Sequence, residues 1–299
     1  MYDYTTLIIG IHVIKHVFLR LNKPLLAFGL LFDPVIKNGE VIKYISEFGG
    51  LRITIRGQEL TIQNSLCKFY HGYNHHNFTY SELLKAKSML EEQLGFCLDN
   101  ANIRGRFEFG VVIKVEKPSL VFNMLGMYKN RRPQQMSYNG TIYGVHYENS
   151  THRLKIYDKS LEARRNGLKL DYGLLRIEKK ASCQHLNSSP RFKNNQIQTF
   201  GDLCRRSSFQ LLADDLVQSL TKIELNDIAN YHDSLSIKDL RLVGYMQNYP
   251  VRSLIKEHHK KSFELDQKRH KEILADRTQN NHDNFILKVV EVIEKIIIN

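Results

Sequence analysis

A chain of 299 residues, 42% of them hydrophobic, can bury a sizeable core in one large domain or two modest ones. Sparse Gly and Pro exclude disorder on a large scale, no run of about 20 apolar residues exists to span a membrane, and the four cysteines (Cys67, Cys97, Cys183, Cys204) include no CxxC pair, which argues against a zinc site or disulfide framework and fits a reducing cytoplasm. The net charge of +12 is focused: residues 101–200 carry 18 Lys+Arg against 7 Asp+Glu, and such a concentrated positive field suits a polyphosphate ligand such as nucleic acid.

In chain order, the apolar run "TLIIGIHVI" is short and lacks a basic leader or small-residue cleavage site, so it reads as a buried strand and not as a signal peptide. "LRITIRG" (51–57) alternates with period two and reads as another strand. "FTYSELLKAKSMLEEQLG" reads as a helix: Thr79 or Ser81 can cap it, Leu83, Leu90 and Leu94 lie roughly on one face, and Gly95 can end it. "ANIRGRFEFGVVIKV" is again a strand, followed by a basic, Pro-containing loop, "MYKNRRPQQMSYNG". Then come the strands "TIYGVHYE", "HRLKIYDKSLE" and "YGLLRIEKKAS". From about residue 200 the pattern turns helical, through "GDLCRRSSFQLLADDLVQSLTKIE", "SIKDLRLVGYMQNY", "PVRSLIKEHHKKSFELDQKRHKEILADR" and the amphipathic "NFILKVVEVIEKIII". The expected fold class is α+β, a mainly antiparallel central sheet with packed helices over 1–205 and a helical region over 206–299.

Three of these strands share a pattern. Phe107, Phe109, Val111 and Ile113 take one face of the first, against Arg104, Arg106 and Glu108. Leu154 and Ile156 oppose Arg153, Lys155, Tyr157 and Lys159. Leu175 and Ile177 oppose Arg176, Glu178 and Lys180. Each strand therefore has one apolar and one charged face. Paired in one sheet, they form a floor of cations holding two carboxylates and one phenol. Charged solvent faces with cross-strand Glu–Lys pairs are also ordinary in antiparallel sheets.

The floor also has a chemical reading. A phenol oxygen can cut a phosphodiester if it lies in line with the leaving oxygen and the phosphoryl charge is countered. Glu108 and Glu178 are hard oxygen ligands suited to Mg2+ or Mn2+, and Lys155 and Lys159, two residues either side of Tyr157, are placed to lower its pKa and bind phosphate.

Four stretches in order, "SLCKFYHGYNHHNFTYSELLKAKSMLEEQLG", "GRFEFGVVI", "LKIYDK" and "LLRIEKK", span about 65 to 185. Together this set resembles the replication initiators of filamentous phages (the gene II type) and related rolling-circle plasmid and phage Rep proteins. The resemblance implies a cytoplasmic endonuclease of a bacterial host. It nicks one strand at an origin, attaches to the 5′ phosphate, leaves a 3′ hydroxyl and later rejoins the strand. The residue roles it implies are Tyr157 as nucleophile, aided by Lys159; Glu108 and Glu178 as ligands of Mg2+ or Mn2+; and Arg106 and Arg176 near the phosphates. Its implied partners are origin duplex and single-stranded DNA, a host helicase and a polymerase, with no membrane.

The chain departs from better-known relatives in lacking a His-hydrophobe-His triplet; its histidines come as "HVIKH" (12, 16), as "HH" (75, 76 and 258, 259) and singly. His71, His75 and His76 offer either a nitrogen ligand or a polar loop, the latter being the plainer reading. Tyr138, Tyr143 and Tyr147 offer a second nucleophile or a stacking platform, with packing the ordinary alternative. Lys129, Arg131 and Arg132 read as a DNA-backbone contact loop, joined in that role by Arg104, Arg153 and Lys155. Two rivals share the pattern: a non-catalytic DNA-binding regulator and a mobilisation relaxase.

Overall fold

The structure is a computed structural model that describes residues 2–10, 23–225, 236–247, 249–275 and 279–299. Its first strands are β1 (Tyr4–Gly10), β2 (Leu25–Ala27), β3 (Leu30–Lys37), β4 (Glu40–Phe48), β5 (Leu51–Arg56) and β6 (Glu59–Ser65). From β3 to β6 each strand follows its predecessor through a tight turn. Asn38 and Gly39, both at positive φ (53° and 81°), make the Asn-Gly hairpin between β3 and β4 that matches the strands' right-handed twist. That dipeptide is the signal for β3 and β4, two strands absent from the pattern read above. The run at residues 6–14 is a strand as far as Gly10; its remainder, with the histidines at 12 and 16, lies outside the described residues.

Helix α1 (Leu66–His71) precedes α2 (Tyr80–Leu94), which carries the expected helix. Thr79 is its cap, in a reciprocal capping box with Glu82, and Gly95 closes it in the left-handed region, where the absent Cβ removes the steric penalty. Leu83, Leu90 and Leu94 are all buried. The predicted strand over 101–115 is two elements, β7 (Asn102–Ile103) and β8 (Arg106–Val115), broken at Gly105 with φ of 72°. Arg104 thus leaves the charged face of β8 and pairs instead with Glu59 at 3.6 Å.

After α3 (Pro118–Met124) comes β9 (Leu125–Tyr128), and the stretch read as a basic loop turns out to hold the end of β9, a turn with Lys129 and Asn130 at positive φ, and β10 (Gln134–Tyr138). A second Asn-Gly turn, Asn139–Gly140, leads into β11 (Thr141–Glu148). β12 (His152–Asp158) is shorter than its sequence pattern, because Lys159 adopts helical dihedrals and starts α4 (Ser160–Arg165). β13 (Gly173–Ser182) follows, then α5 (Cys183–Asn187), α6 (Phe200–Leu203), α7 (Arg206–Leu220), β14 (Ile223–Leu225), α8 (Ile237–Gln247), α9 (Tyr249–His258), α10 (Lys260–Ala275) and α11 (Gln279–Ile298).

The architecture is α+β and its described ladders are antiparallel. One sheet has the order β2-β3-β4-β5-β6-β1-β7, a second β10-β11-β12-β13-β8, and β14 pairs with β9. The chain start joins the two large sheets: Asp3 N donates to Glu108 O at 2.9 Å, and Tyr2 bridges Phe109 on edge strand β8. Further along that edge, the Asn77 side chain makes both hydrogen bonds a strand would make, to Val112 N at 2.7 Å and Val112 O at 2.8 Å. The apolar faces of β8, β12 and β13 share one core with Phe209, Leu212 and Leu216 of α7 and Val289 and Ile293 of α11. Helices α8 to α10 enclose a separate small cluster around Leu242, Met246 and Phe263. No helix among the described residues is long and apolar enough to cross a membrane.

The cap assignment is testable. Thr79→Ala should lower stability by about 1 kcal/mol in chemical denaturation, because the Glu82 backbone N–H loses the hydroxyl that caps it; Ser81→Ala should cost clearly less.

Candidate functional site

Register places the charged faces of three strands together. In β12, β13 and β8, Tyr157 lies opposite Arg176 and Arg176 opposite Val112. In the next row Lys155 faces Glu178 and Glu178 faces Gly110; in the third, Arg153 faces Lys180 and Lys180 faces Glu108. On the other side of β12, the partners are Gly144, His146 and Glu148 of β11. Since side chains alternate across a strand, these rows lie on one face about 7 Å apart.

Glu178 is the hub and is only 1% exposed. One carboxylate oxygen accepts from Lys155 Nζ at 2.7 Å; the other accepts from the Tyr157 hydroxyl at 3.2 Å and from Arg176 Nε at 3.1 Å. Lys155 also reaches Glu108 at 3.3 Å, and Lys180 pairs with the same Glu108 oxygen at 3.0 Å. Arg176, equally buried, spends its remaining donors on Asp3 at 3.0 Å and on the Asn74 carbonyl at 3.0 Å. Asp3 in turn accepts from Ser65 Oγ at 2.7 Å and from the Asn74 amide. A single buried network thus joins the chain start, the end of β6, the segment after α1, and strands β8, β12 and β13.

Burial, then the Glu178 charge, push the Tyr157 phenol well above its ordinary value, against an opposing pull from Arg176. This corrects the expectation that flanking lysines lower it. Lys155 is bound to the two glutamates, and Lys159 Nζ stands 6.0 Å over the Tyr157 ring and pairs with Glu162. Burial also opposes the charge on Glu178, but Arg176 and Lys155 outweigh it, so its carboxyl is held below the usual range. Glu108 moves the other way, raised by burial and by Glu178's charge. For Asp3, burial raises the carboxyl, yet Arg176 and the Ser65 and Asn74 bonds bring it down overall.

One carboxylate oxygen from each of Asp3, Glu108 and Glu178 lies within 4.8 Å of the other two, so the donor set is all hard oxygen, the type that holds Mg2+ or Mn2+. Lys155 Nζ bridges two of them, Glu108 and Glu178. Asp3 is the residue that strand parity does not reveal. It precedes β1, far from the motif, and an isolated Asp before an apolar run carries no periodic signal. His71, His75 and His76 do not belong to this carboxylate group.

Of the residues expected to meet DNA, Arg176 does not reach solvent: it is 3% exposed with its donors taken by internal acceptors, because two neighbouring carboxylates need a counter-charge where water cannot supply one. Arg153 and Arg106 pair with Glu148 on the sheet surface. Arg106, Arg131 and Arg132 line one groove of about 880 Å³ with Gln134, Glu148 and Ser150. Exposed Lys129 adjoins it, its Nζ 5.4 Å over the Tyr128 ring. Tyr143 meets the Tyr157 ring edge-on at 6.5 Å, Tyr147 is buried and donates to Gly126 O, and exposed Tyr138 carries Arg165 over its face at 4.8 Å.

No family model and no curated protein matches this chain. Among solved structures, that of a rolling circle replication initiator protein from Geobacillus stearothermophilus is similar to it at 15% sequence identity, over 83% of this chain and 96% of that chain, with a TM-score of 0.39.

Two predictions follow from the geometry. Asp3→Asn should lower stability at neutral pH by about 3 kcal/mol, as for a buried pair that loses one partner. The folded pKa of Asp3 lies below its unfolded value of about 3.9, so its contribution is present above that value and lost as pH falls through the folded one. Acid unfolding of the variant should therefore be shallower below about pH 4 than in the parent. Secondly, a Cβ on Gly144 would stand 2.4 Å from Tyr157 Cβ, so Gly144→Ala should cost about 1–3 kcal/mol by overpacking and broaden or shift the NMR ring signals of Tyr157.

Proposed function

We propose that this protein is a cytoplasmic rolling-circle replication initiator of a bacterial replicon, a DNA strand-nicking and strand-joining enzyme whose nucleophile is Tyr157. The observation that carries the reading is the Tyr157 hydroxyl donating to the buried Glu178 carboxylate inside a row of cations. In the nicking step the phenol oxygen attacks phosphorus and the P–O3′ bond breaks. Glu178 accepts the phenol proton, and the 3′ oxygen leaves as a hydroxyl with a proton from solvent. The 5′ phosphate stays on the tyrosine as a diester, so the bond is conserved and a 3′ hydroxyl can later attack it to close the strand.

The other residues position and neutralise. Arg176 holds Glu178 and Asp3 in place and does not touch DNA. Lys155 and Lys180 supply positive charge in the rows beside the phenol, and Lys159 lies over its ring. Asp3, Glu108 and Glu178 would hold a divalent ion, Mg2+ or Mn2+, whose chemistry is to polarise the phosphoryl oxygens and offset their developing charge. The groove of Arg106, Arg131 and Arg132, with Lys129 and Arg153 beside it, takes the backbone of origin DNA on its way to the phenol; Arg104 contributes from the neighbouring sheet edge. A host helicase and polymerase would extend the exposed 3′ end.

A DNA-binding regulator without chemistry is the alternative, and one assay separates the two. With supercoiled DNA of the cognate replicon and Mg2+ or Mn2+, the parent protein should give nicked circles and a covalent protein–DNA adduct that survives denaturant. Tyr157→Phe should give neither, and Glu178→Gln should nick at least about 100-fold more slowly. Normal nicking by Tyr157→Phe removes the phenol from the mechanism; DNA retardation without any adduct from the parent protein establishes the binding role instead.

A further inference from the structure

Strand β11, beside the phenol strand, carries a histidine that the nicking step above does not use. Val145 and Tyr147 are buried in the shared core, so His146 between them turns to the charged face, where it is half-buried. There it stands opposite Lys155, and Lys155 stands opposite Glu178. One row therefore runs His146, Lys155, Glu178 across three adjacent strands.

The Tyr157 hydroxyl leans into this row, since it donates to Glu178 at 3.2 Å. A phosphate attacked by that oxygen lies over Lys155, and the bond that breaks points away from the phenol. Along the row, away from Glu178 is toward His146. Strands β11 and β13 are two spacings apart, about 10 Å. An attack distance of about 3–3.5 Å, one P–O bond and a hydrogen bond of about 3 Å from the departing oxygen to a ring nitrogen fit within that width.

The other positive groups of the face are spent on carboxylates: Lys155 on Glu108 and Glu178, Lys180 on Glu108, Arg176 on Glu178 and Asp3, and Arg153 on Glu148. Burial acts against the Lys155 charge, but Glu178 and Glu108 outweigh it, so Lys155 keeps its proton and serves as a fixed charge. Imidazole is the side chain that changes charge near neutral pH. The charged groups facing His146 are Arg153 and Lys155 of β12 and Glu148 of its own strand; β10 presents Gln134. Burial, then Arg153, with Lys155 adding to it, hold the ring below its ordinary value against the pull of Glu148. The resting ring is thus neutral at pH 7, and an arriving phosphate anion favours its protonation.

We propose that His146 is the catalytic residue that exchanges a proton with the 3′ oxygen, as acid in nicking and as base in joining. The proposal rests on the nicking role above and puts His146 in place of solvent in that step. In nicking, the phenol oxygen bonds phosphorus and its proton passes to Glu178. The P–O3′ electron pair goes to the 3′ oxygen, which takes the imidazolium proton. In joining, neutral imidazole removes that proton as the 3′ oxygen attacks phosphorus, and the departing phenolate recovers its own from Glu178. Glu178 serves the nucleophile and His146 the leaving group, at opposite ends of one row.

A change of leaving group tests this. The nick position is mapped on supercoiled DNA of the cognate replicon. Two synthetic single strands spanning it are then compared in single turnover with Mn2+, one natural and one with sulfur in place of the bridging 3′ oxygen. A thiol, with a pKa of about 8.5, departs as thiolate without a donated proton. The parent protein should form the covalent adduct with both strands. His146→Ala should slow the oxygen strand about 10²–10⁴-fold, the range for loss of a general acid, and the sulfur strand less than about tenfold. His146→Gln, polar but without a group that gains a proton, should show the same selective loss. The readout is a ratio of two strands on one protein, so a partial folding defect, which slows both, does not imitate it. If both variants slow the two strands alike, or slow neither, His146 transfers no proton and the proposal is overturned while nicking stands. If the parent protein forms no adduct with the oxygen strand, the nicking reading itself falls and this proposal with it.

Discussion

The buried contact between Arg176 and its two carboxylates, Asp3 and Glu178, is the constraint on which the rest of the molecule depends. None of the three is more than 7% exposed. Each ion is unfavourable there alone, and the group is tolerated only because every oxygen and nitrogen that matters has a partner. Those partners come from distant parts of the chain: residue 3, residue 65 before α1, residue 74, and strands β12 and β13. The network therefore forms only when the two large sheets are docked, and it specifies how they dock.

The same alternation that builds the core builds the site. In β8 and β13 odd-numbered residues such as Phe107, Phe109, Leu175 and Ile177 go under α7 and α11, while even-numbered Glu108, Arg176 and Glu178 turn to the opposite face. In β12 the parity is reversed, with Leu154 and Ile156 inward and Tyr157 outward. Lys179 is the exception: it points to the apolar side, buried, and is accommodated by Asp215 and Ser219 of α7. Gly144 opposite Tyr157 and Gly110 opposite Glu178 let the backbones approach closely where any Cβ would collide. The phenol is thus set by backbone contact as well as by its bond to Glu178.

Lys155 shows how the site is balanced. It lies between Glu108 and Glu178 and is held charged by them although burial acts against it. The carboxylates Glu108 and Glu178 are each paired with cations on this face, Lys155 with both, Lys180 with Glu108 and Arg176 with Glu178.

Much of this was legible in the sequence, because period-two alternation is a local property. The antiparallel α+β class, helix α2 with Thr79 or Ser81 as its cap, and the charged face that each of β8, β12 and β13 presents follow from spacing along one strand or one helix; that these three strands are neighbours, and that Thr79 is the cap, came from the fold. The pairs β3 with β4 and β10 with β11 were legible too, through their Asn-Gly turns. Tertiary structure alone decided what those faces meet. Asp3 joins the carboxylates because the chain start crosses from one sheet to the other, a contact separated by more than a hundred residues from β8. Arg176 is sealed in and Arg104 is carried off the strand for similar reasons, burial by a remote segment and a glycine break. The phenol's pKa rises because exclusion of water and a neighbouring carboxylate are set by packing density and distance, and neither quantity is written in residue order.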